Sequence, residues 1–447
     1  MTNKNISTDT LNTFRSDFGN SPHREVIKNA IIKNGLPAIA VNSKVMSGMQ
    51  YTFSSEIETG KITAQKRSGR CWMFAGLNLF RHKVAENYKI KDFELSQNYL
   101  MFYDKLEKAN FFLESILQTL DEDIYSRLLM WLLKDPVQDG GQWDMFTNLI
   151  RKYGAVPKYL MSETYSSSNS HMMNEILTSK LREYAAELRN QSKEAKTADQ
   201  LREIKQQQLS EFYRLLVFFL GDPPEKFDFE YKDDEKVYHI DEGLTPVKFF
   251  DKYVSVNPDD YISLINAPTE DKPFNRTYTV DYLGNVIDGK KVLYLNIDIE
   301  TLKEMTLKQL QNNELVWFGC DVMKFMDKDS GIMDSRLFLY DEALETPFHF
   351  TKAERLLYGE SLLTHAMVFT GVNLVNEKPT RWKVENSWGD EQGQKGFFVM
   401  SDKWFDEYNF QVIIQRKYLP EQLLNLFKEE PVVLPPWDPM GSVALMR

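Results

Sequence analysis

The sequence predicts an α+β fold of two lobes. Three observations carry this. The first half is rich in apolar residues at helical spacing. After about residue 255 the texture changes to short runs of Val, Ile and aromatics separated by Gly, Asp and Asn. No internal repeat is present. A helical half followed by a strand-rich half places a cleft between two lobes.

Residues 1–60 are mixed polar with a few apolar clusters and read as a wrapping N-terminal segment. Residues 61–171 read as a helical lobe. From Cys71 to Phe80 the chain is apolar nearly all round (Trp72, Met73, Phe74, Leu77, Leu79), which predicts a buried helix starting at Cys71. Ser68 and Gly69 suit the preceding turn and cap. The stretch from Leu95 continues helical, with Ser96 as its cap, and a helix to about Tyr153 is stopped by Gly154 and Pro157. In residues 172–254, Leu177, Leu181, Tyr184 and Leu188 recur at helical spacing among charged residues. A second helix is expected from Asp199 to Leu220, before Gly221-Asp-Pro-Pro. This segment reads as a charged helical insertion. Residues 255–435 read as the β-rich lobe. Strands are expected at 290–299, 314–322, 365–375, 381–389 and 396–400.

Composition narrows the function. The chain has 54 basic and 65 acidic residues, a net charge of −11, so nucleic acid is a poor default partner. Two cysteines in 447 residues make no disulfide framework and fit a reducing compartment. The polar N-terminus has no apolar core of signal-peptide length, and the apolar run near Leu215–Leu220 is too short to span a bilayer. The expected location is the cytoplasm, with no membrane partner. No His-Glu-x-x-His or paired Cys-x-x-Cys occurs, so neither a metal nor another cofactor is expected.

The chemistry centres on Cys71. A thiol at a helix N-terminus meets free amides and the positive end of the helix dipole, which favour the thiolate. A nucleophilic thiol also needs an imidazole to exchange its proton. Of six histidines, His365 opens a strand, and Asn386 follows at the end of another. The Asn386 carboxamide can accept the imidazole N–H and fix the ring. Trp388 is placed to cover that bond. Gln65, six residues before Cys71, can join the Cys71 N–H as an oxyanion donor. Cys71 alone would more simply be a packed thiol, and His365 alone a core histidine. The joint pattern with Gln65 and Asn386 favours catalysis. Cys320, in an apolar run, reads as structural.

Gln65-x5-Cys71-Trp72-x-Phe74, then His365-Ala366, then Asn386-Ser387-Trp388-Gly389, resembles the papain-like cysteine peptidases. In their Cys-Gly-Ser/Ala-Cys signature, Ser68 here replaces the first cysteine and Arg70 the small residue. His365 follows Cys71 at about twice the roughly 130–150-residue separation of secreted members. These departures, with "DGGQWDM" (139–145), "ENSWGDEQGQKGFFVMSDKWF" and the tail "LPPWDPMG", resemble the bleomycin hydrolase and bacterial aminopeptidase C branch.

That resemblance implies a papain-like fold with an inserted helical hook at 172–254 and a C-terminal arm, residues 436–447, in the active-site cleft. It implies a homohexamer, with the hook making subunit contacts. It makes Gly140 and Gly141 a backbone platform for peptide substrates. The arm's terminal carboxylate, at Arg447 or at a trimmed terminus, pairs with the substrate's free α-amine and makes the enzyme an aminopeptidase. With Ser442, Val443 and Ala444 in place of the family's usual small terminal residues, Leu445, Met446 and Arg447 are wholly or partly surplus, so the terminus is expected to be trimmed or rerouted. The implied activity is thus a thiol aminopeptidase of broad specificity acting through Cys71, His365, Asn386 and Gln65. The rivals are an endopeptidase or oligopeptidase with altered tail gating, acyl transfer to an amine, and a scaffold or nucleic-acid-binding assembly.

Overall fold

The computed structural model describes residues 4–194 and 196–443. Its centre is the helix Cys71–Tyr88, buried almost continuously from Cys71 to Val84. The apolar residues lie on all its sides, so it is stable only when surrounded. Helices Gln97–Gln118 and Trp143–Tyr153 cover it on one side. The strand His365–Val375 and its neighbour Val316–Cys320 cover it on the other. Ser96 caps the Gln97 helix by accepting the Tyr99 N–H at 3.0 Å, as expected. Gly154, at φ +68°, ends the Trp143 helix.

A twelve-stranded mixed sheet forms the second layer. Its middle runs Tyr261–Ile265, Asn409–Gln415, Val316–Cys320, His365–Val375, Lys378–Glu385, Phe397–Ser401, each antiparallel to the next. This register places the site. His365 begins its strand, and Asn386 directly follows the end of the adjacent antiparallel strand, so both stand at the same end of this strand pair. The α+β class expected from the sequence is what the chain adopts.

Three elements differ from expectation. Within 290–299 only Tyr294–Asn296 is strand, because Asp298 accepts the Thr301 N–H at 2.9 Å and starts a helix at Ile299. Ser68 does not cap the Cys71 helix. Arg70 occupies that position without a side-chain cap, and the Ser68 hydroxyl instead donates to the Gln65 carbonyl at 2.7 Å. The segment 172–254 is not wholly helical. It holds the helices His171–Lys193 and Ala198–Leu220, then a β-hairpin of Phe227–Lys232 with Tyr238–Leu244. Phe227 and Phe229 are buried between exposed neighbours, the period-two pattern of a half-buried strand.

Residues 8–48 form four helices, of which only Leu36–Ala40 buries a residue, Ala40. Ser55–Glu56 then pairs with the His365 strand at Val372 and Gly371. No helix among the described residues is long and apolar enough to cross a membrane.

Candidate active site

The Cys71 side chain is buried at the first position of its helix. Its sulfur accepts the Ala366 N–H at 3.4 Å, one residue beyond His365. His365 is fully buried, and its Nε2 lies 2.9 Å from the Asn386 carboxamide oxygen. That oxygen also accepts the Ser387 N–H at 2.8 Å, which fixes it as oxygen and makes Nε2 the protonated donor. His365 Nδ1 therefore carries the lone pair, and it has no hydrogen-bond partner among the described residues. The Trp388 ring lies over the imidazole, centroids 4.9 Å apart, and itself packs edge-on to Phe398.

Gln65 arrives by a short pairing across the cleft. Its N–H donates to the Ser387 carbonyl at 2.8 Å, and Gly389 N–H donates to Thr63 O at 3.1 Å. The Ser387 hydroxyl donates to Gln65 Oε1 at 2.7 Å, and Gln65 Nε2 donates to the Ser68 carbonyl at 2.6 Å. A carboxamide nitrogen carries two hydrogens. One is used on Ser68, which leaves the second for another acceptor.

Burial dominates the proton affinities. It pushes the Cys71 thiol up to about 12, against the pull of the Ala366, Trp72 and Cys71 N–H groups. It pushes His365 down to about 4, against the Asn386 hydrogen bond. The helix-terminal amides act on the sulfur in the sense the sequence suggests, but enclosure outweighs them. Burial thus opposes charge on both side chains.

The Gly140–Gly141 segment lies against Trp72. A Cβ at Gly141 would stand 2.6 Å from the Trp72 ring, so only glycine fits. Trp72 Nε1 donates to the Asp139 carbonyl at 2.7 Å. The buried Lys108 ammonium donates to the Gly140 carbonyl at 2.6 Å and to Asp104 at 2.7 Å. Arg70, fully buried, forks onto Glu163 at 2.7 and 3.1 Å and donates to Ser68 Oγ at 2.9 Å. These ionic supports, with Asp139 and Lys105, were missed in the sequence. Their only signal was Lys105 and Lys108 on an otherwise inward-facing helix. Cys320 is buried in its strand, opposite His365 in register.

The C-terminal arm reaches the same region. Ser442 O accepts from Gln142 Nε2 at 2.7 Å, and Ser442 Oγ donates to the Leu363 carbonyl at 2.8 Å, two residues before His365. Gly441, Ser442 and Val443 wall a cavity of about 500 Å³ that extends to Phe112, Met145 and Leu283. The expected terminal carboxylate of Arg447 lies outside the described residues. Among those residues no cluster of His, Cys, Asp and Glu is arranged to hold a metal.

Comparison with known proteins places the chain in a family. The profile of the Peptidase C1-like family matches residues 5–441. Aminopeptidase C of Listeria innocua is 50% identical over 440 residues, covering 98% of this chain and 99% of that one. Aminopeptidase W of Lactobacillus delbrueckii subsp. lactis is 40% identical, covering 97% and 98%. The crystal structure of PepW from Lactobacillus rhamnosis HN001 superposes with a TM-score of 0.97 at 52% identity, covering 99% of this chain and all of that one. The fold is the papain-like α+β arrangement.

Proposed function

Because this chain belongs to the Peptidase C1-like family, we propose that it is a cysteine aminopeptidase that removes N-terminal residues from peptides with broad specificity. Cys71 Sγ attacks the scissile carbonyl as its proton passes to His365 Nδ1. Asn386 holds the imidazole through Nε2 and stabilises the imidazolium. The second Gln65 Nε2 hydrogen and the Cys71 N–H take up the oxyanion charge. His365 then protonates the leaving amine, and water releases the acyl group from Cys71. Gly140 and Gly141 offer the backbone edge on which an extended peptide lies, and Trp388 keeps water from the His365–Asn386 bond.

The observation that carries this reading is the hydrogen bond between Asn386 Oδ1 and His365 Nε2, which leaves Nδ1 as the base. Support for an amino-terminal preference is the arm, whose Ser442 is bonded to Gln142 and Leu363 on either side of the cleft. An arm fixed there limits how far a substrate can extend on the amino-terminal side of the scissile bond, and a carboxylate at its end would pair with a free α-amine. The finer parts of the proposal are a cytoplasmic location and a bleomycin-hydrolase-like homohexamer in which the 172–254 insertion makes subunit contacts.

The test compares a fluorogenic peptide with a free amine against its N-acetylated form, under reducing conditions, with Cys71→Ala as control. Cleavage of the free form alone, lost in the variant, is the expected result. Equal cleavage of the acetylated form would replace the aminopeptidase reading with an endopeptidase.

A further inference from the structure

Asp139 touches the segments on both sides of Cys71 and the start of the helix His171–Lys193. Its carboxylate accepts the Gly69 N–H at 2.9 Å, in the turn that leads into Cys71. Its carbonyl accepts Trp72 Nε1–H at 2.7 Å, on the other side of Cys71. By chain continuity it fixes Gly140 and Gly141, and Gly141 lies flat on the Trp72 ring. The same carboxylate accepts from Asn174 Nδ2 at 2.8 Å and from the Ser170 hydroxyl, where the insertion's first long helix begins. Lys105, also fully buried, donates to it at 2.6 Å and to the Val137 carbonyl at 2.6 Å.

Burial alone would raise this carboxyl. The Lys105 charge, with hydrogen bonds from Lys105, Ser170 and Gly69, outweighs burial and holds it well below the usual carboxylate range. The group therefore stays ionised at every working pH, with its charge matched by Lys105. It is a permanent acceptor at the point where the nucleophile turn, the Gly140–Gly141 segment and the insertion meet.

We propose that Asp139 is a positioning residue that sets the separation between the Cys71 thiol and the Gly140–Gly141 backbone, and that Ser170 and Asn174 make the insertion its third anchor. The proposal rests on the reading that Cys71 attacks a peptide lying along Gly140–Gly141. Removal of the two insertion donors frees the carboxylate to rotate toward Lys105. The Gly69 contact then loosens, and the bound carbonyl drifts from the sulfur. A displacement of this kind costs turnover more than thiol reactivity, because attack is steep in distance and angle.

The experiment uses the full chain and the variants Ser170→Ala, Asn174→Ala and their combination. These leave the Asp139–Lys105 pair intact, whereas Asp139→Asn would strand a buried Lys105 charge and could prevent folding. Two rates are measured on each: hydrolysis of a free-amine fluorogenic dipeptide, and alkylation of Cys71 by iodoacetamide, which needs no platform. The expected result for the combined variant is a fall in kcat of about tenfold, with KM changed less than threefold and the alkylation rate and its pH dependence within twofold. Unchanged kcat, or hydrolysis and alkylation falling in equal proportion, overturns the proposal: the first shows no role, the second a general structural one. Absence of hydrolysis by the unmodified chain would overturn the peptidase reading itself, and this inference with it.

Discussion

The Ser387 hydroxyl donates to Gln65 Oε1 at 2.7 Å, so the loop that carries Asn386 also orients the amide beside Cys71. One serine thus couples the loop of Asn386 on the β side of the cleft to Gln65, the proposed oxyanion donor, on the helical side. Replacement of Gln65 by Ala is expected to lower kcat by about 10²–10³, the usual cost of one oxyanion donor. Ser387→Ala removes only the orienting bond and is expected to cost about tenfold, with KM little changed. Steady-state kinetics on one free-amine peptide measure both. Full kcat in Gln65→Ala would remove this residue from the mechanism.

His365 is buried neutral, with its proton affinity pushed down to about 4 from the ordinary histidine value near 6.5 by burial. Between those values the unfolded chain binds a proton that the folded chain does not. Stability contributed by the neutral ring is therefore present above about pH 6.5 and lost as pH falls toward 4. Urea unfolding at pH 7 and pH 5 is expected to show the unmodified chain losing roughly 2 kcal/mol more than His365→Gln over that interval. Equal losses would mean that the imidazole is already solvated in the folded state.

Much of this site was legible in the sequence because its parts are local patterns. Cys71 before an all-apolar helix, His365 opening a β-branched strand and Asn386 before Ser-Trp-Gly each declare themselves within a few residues. The meeting of His365 and Asn386 follows from the antiparallel register of two neighbouring strands, which their buried residues specify. The supports were not legible. Asp139, Lys105, Arg70 and Glu163 are charged residues whose sequence neighbourhoods suggest a surface, and only long-range packing shows them buried and paired. The hairpin after Leu220 was missed because its few buried residues alternate too briefly to outweigh the charged texture around them.

Arg81 on the Cys71 helix and Glu385, directly before Asn386, form an ion pair at 3.0 Å with side chains 5% and 1% exposed. Loss of one partner strands the other charge in the core. Glu385→Gln is expected to destabilise the fold by about 3–5 kcal/mol and to reduce activity, since the pair spans from the nucleophile's helix to the asparagine's strand. The double variant Arg81→Met with Glu385→Leu is expected to recover most of the stability, because a well-packed apolar pair needs no desolvation of charge. Denaturant midpoints on the three proteins test this. A double variant no more stable than the single one would show that shape, not charge, holds this contact.

Gly141 offers the sharpest steric test. The Trp72 ring that a Cβ would strike is fully buried, and both its Nε1 and its backbone carbonyl are hydrogen-bonded. Its Nε1 donates to the Asp139 carbonyl, and its own carbonyl accepts Trp317 Nε1–H at 3.1 Å. The ring has no room to retreat, so an alanine must push the 140–141 backbone outward, into the space where a peptide would lie. Gly141→Ala is expected to cost about 1–3 kcal/mol of stability by overpacking. It is also expected to raise KM for dipeptide substrates at least tenfold, while Cys71 alkylation persists. Gly19→Ala serves as the control: it ends an exposed helix with nothing within 4 Å of the added carbon, and it should leave both quantities unchanged. A normal KM in Gly141→Ala would place the substrate somewhere other than along this segment.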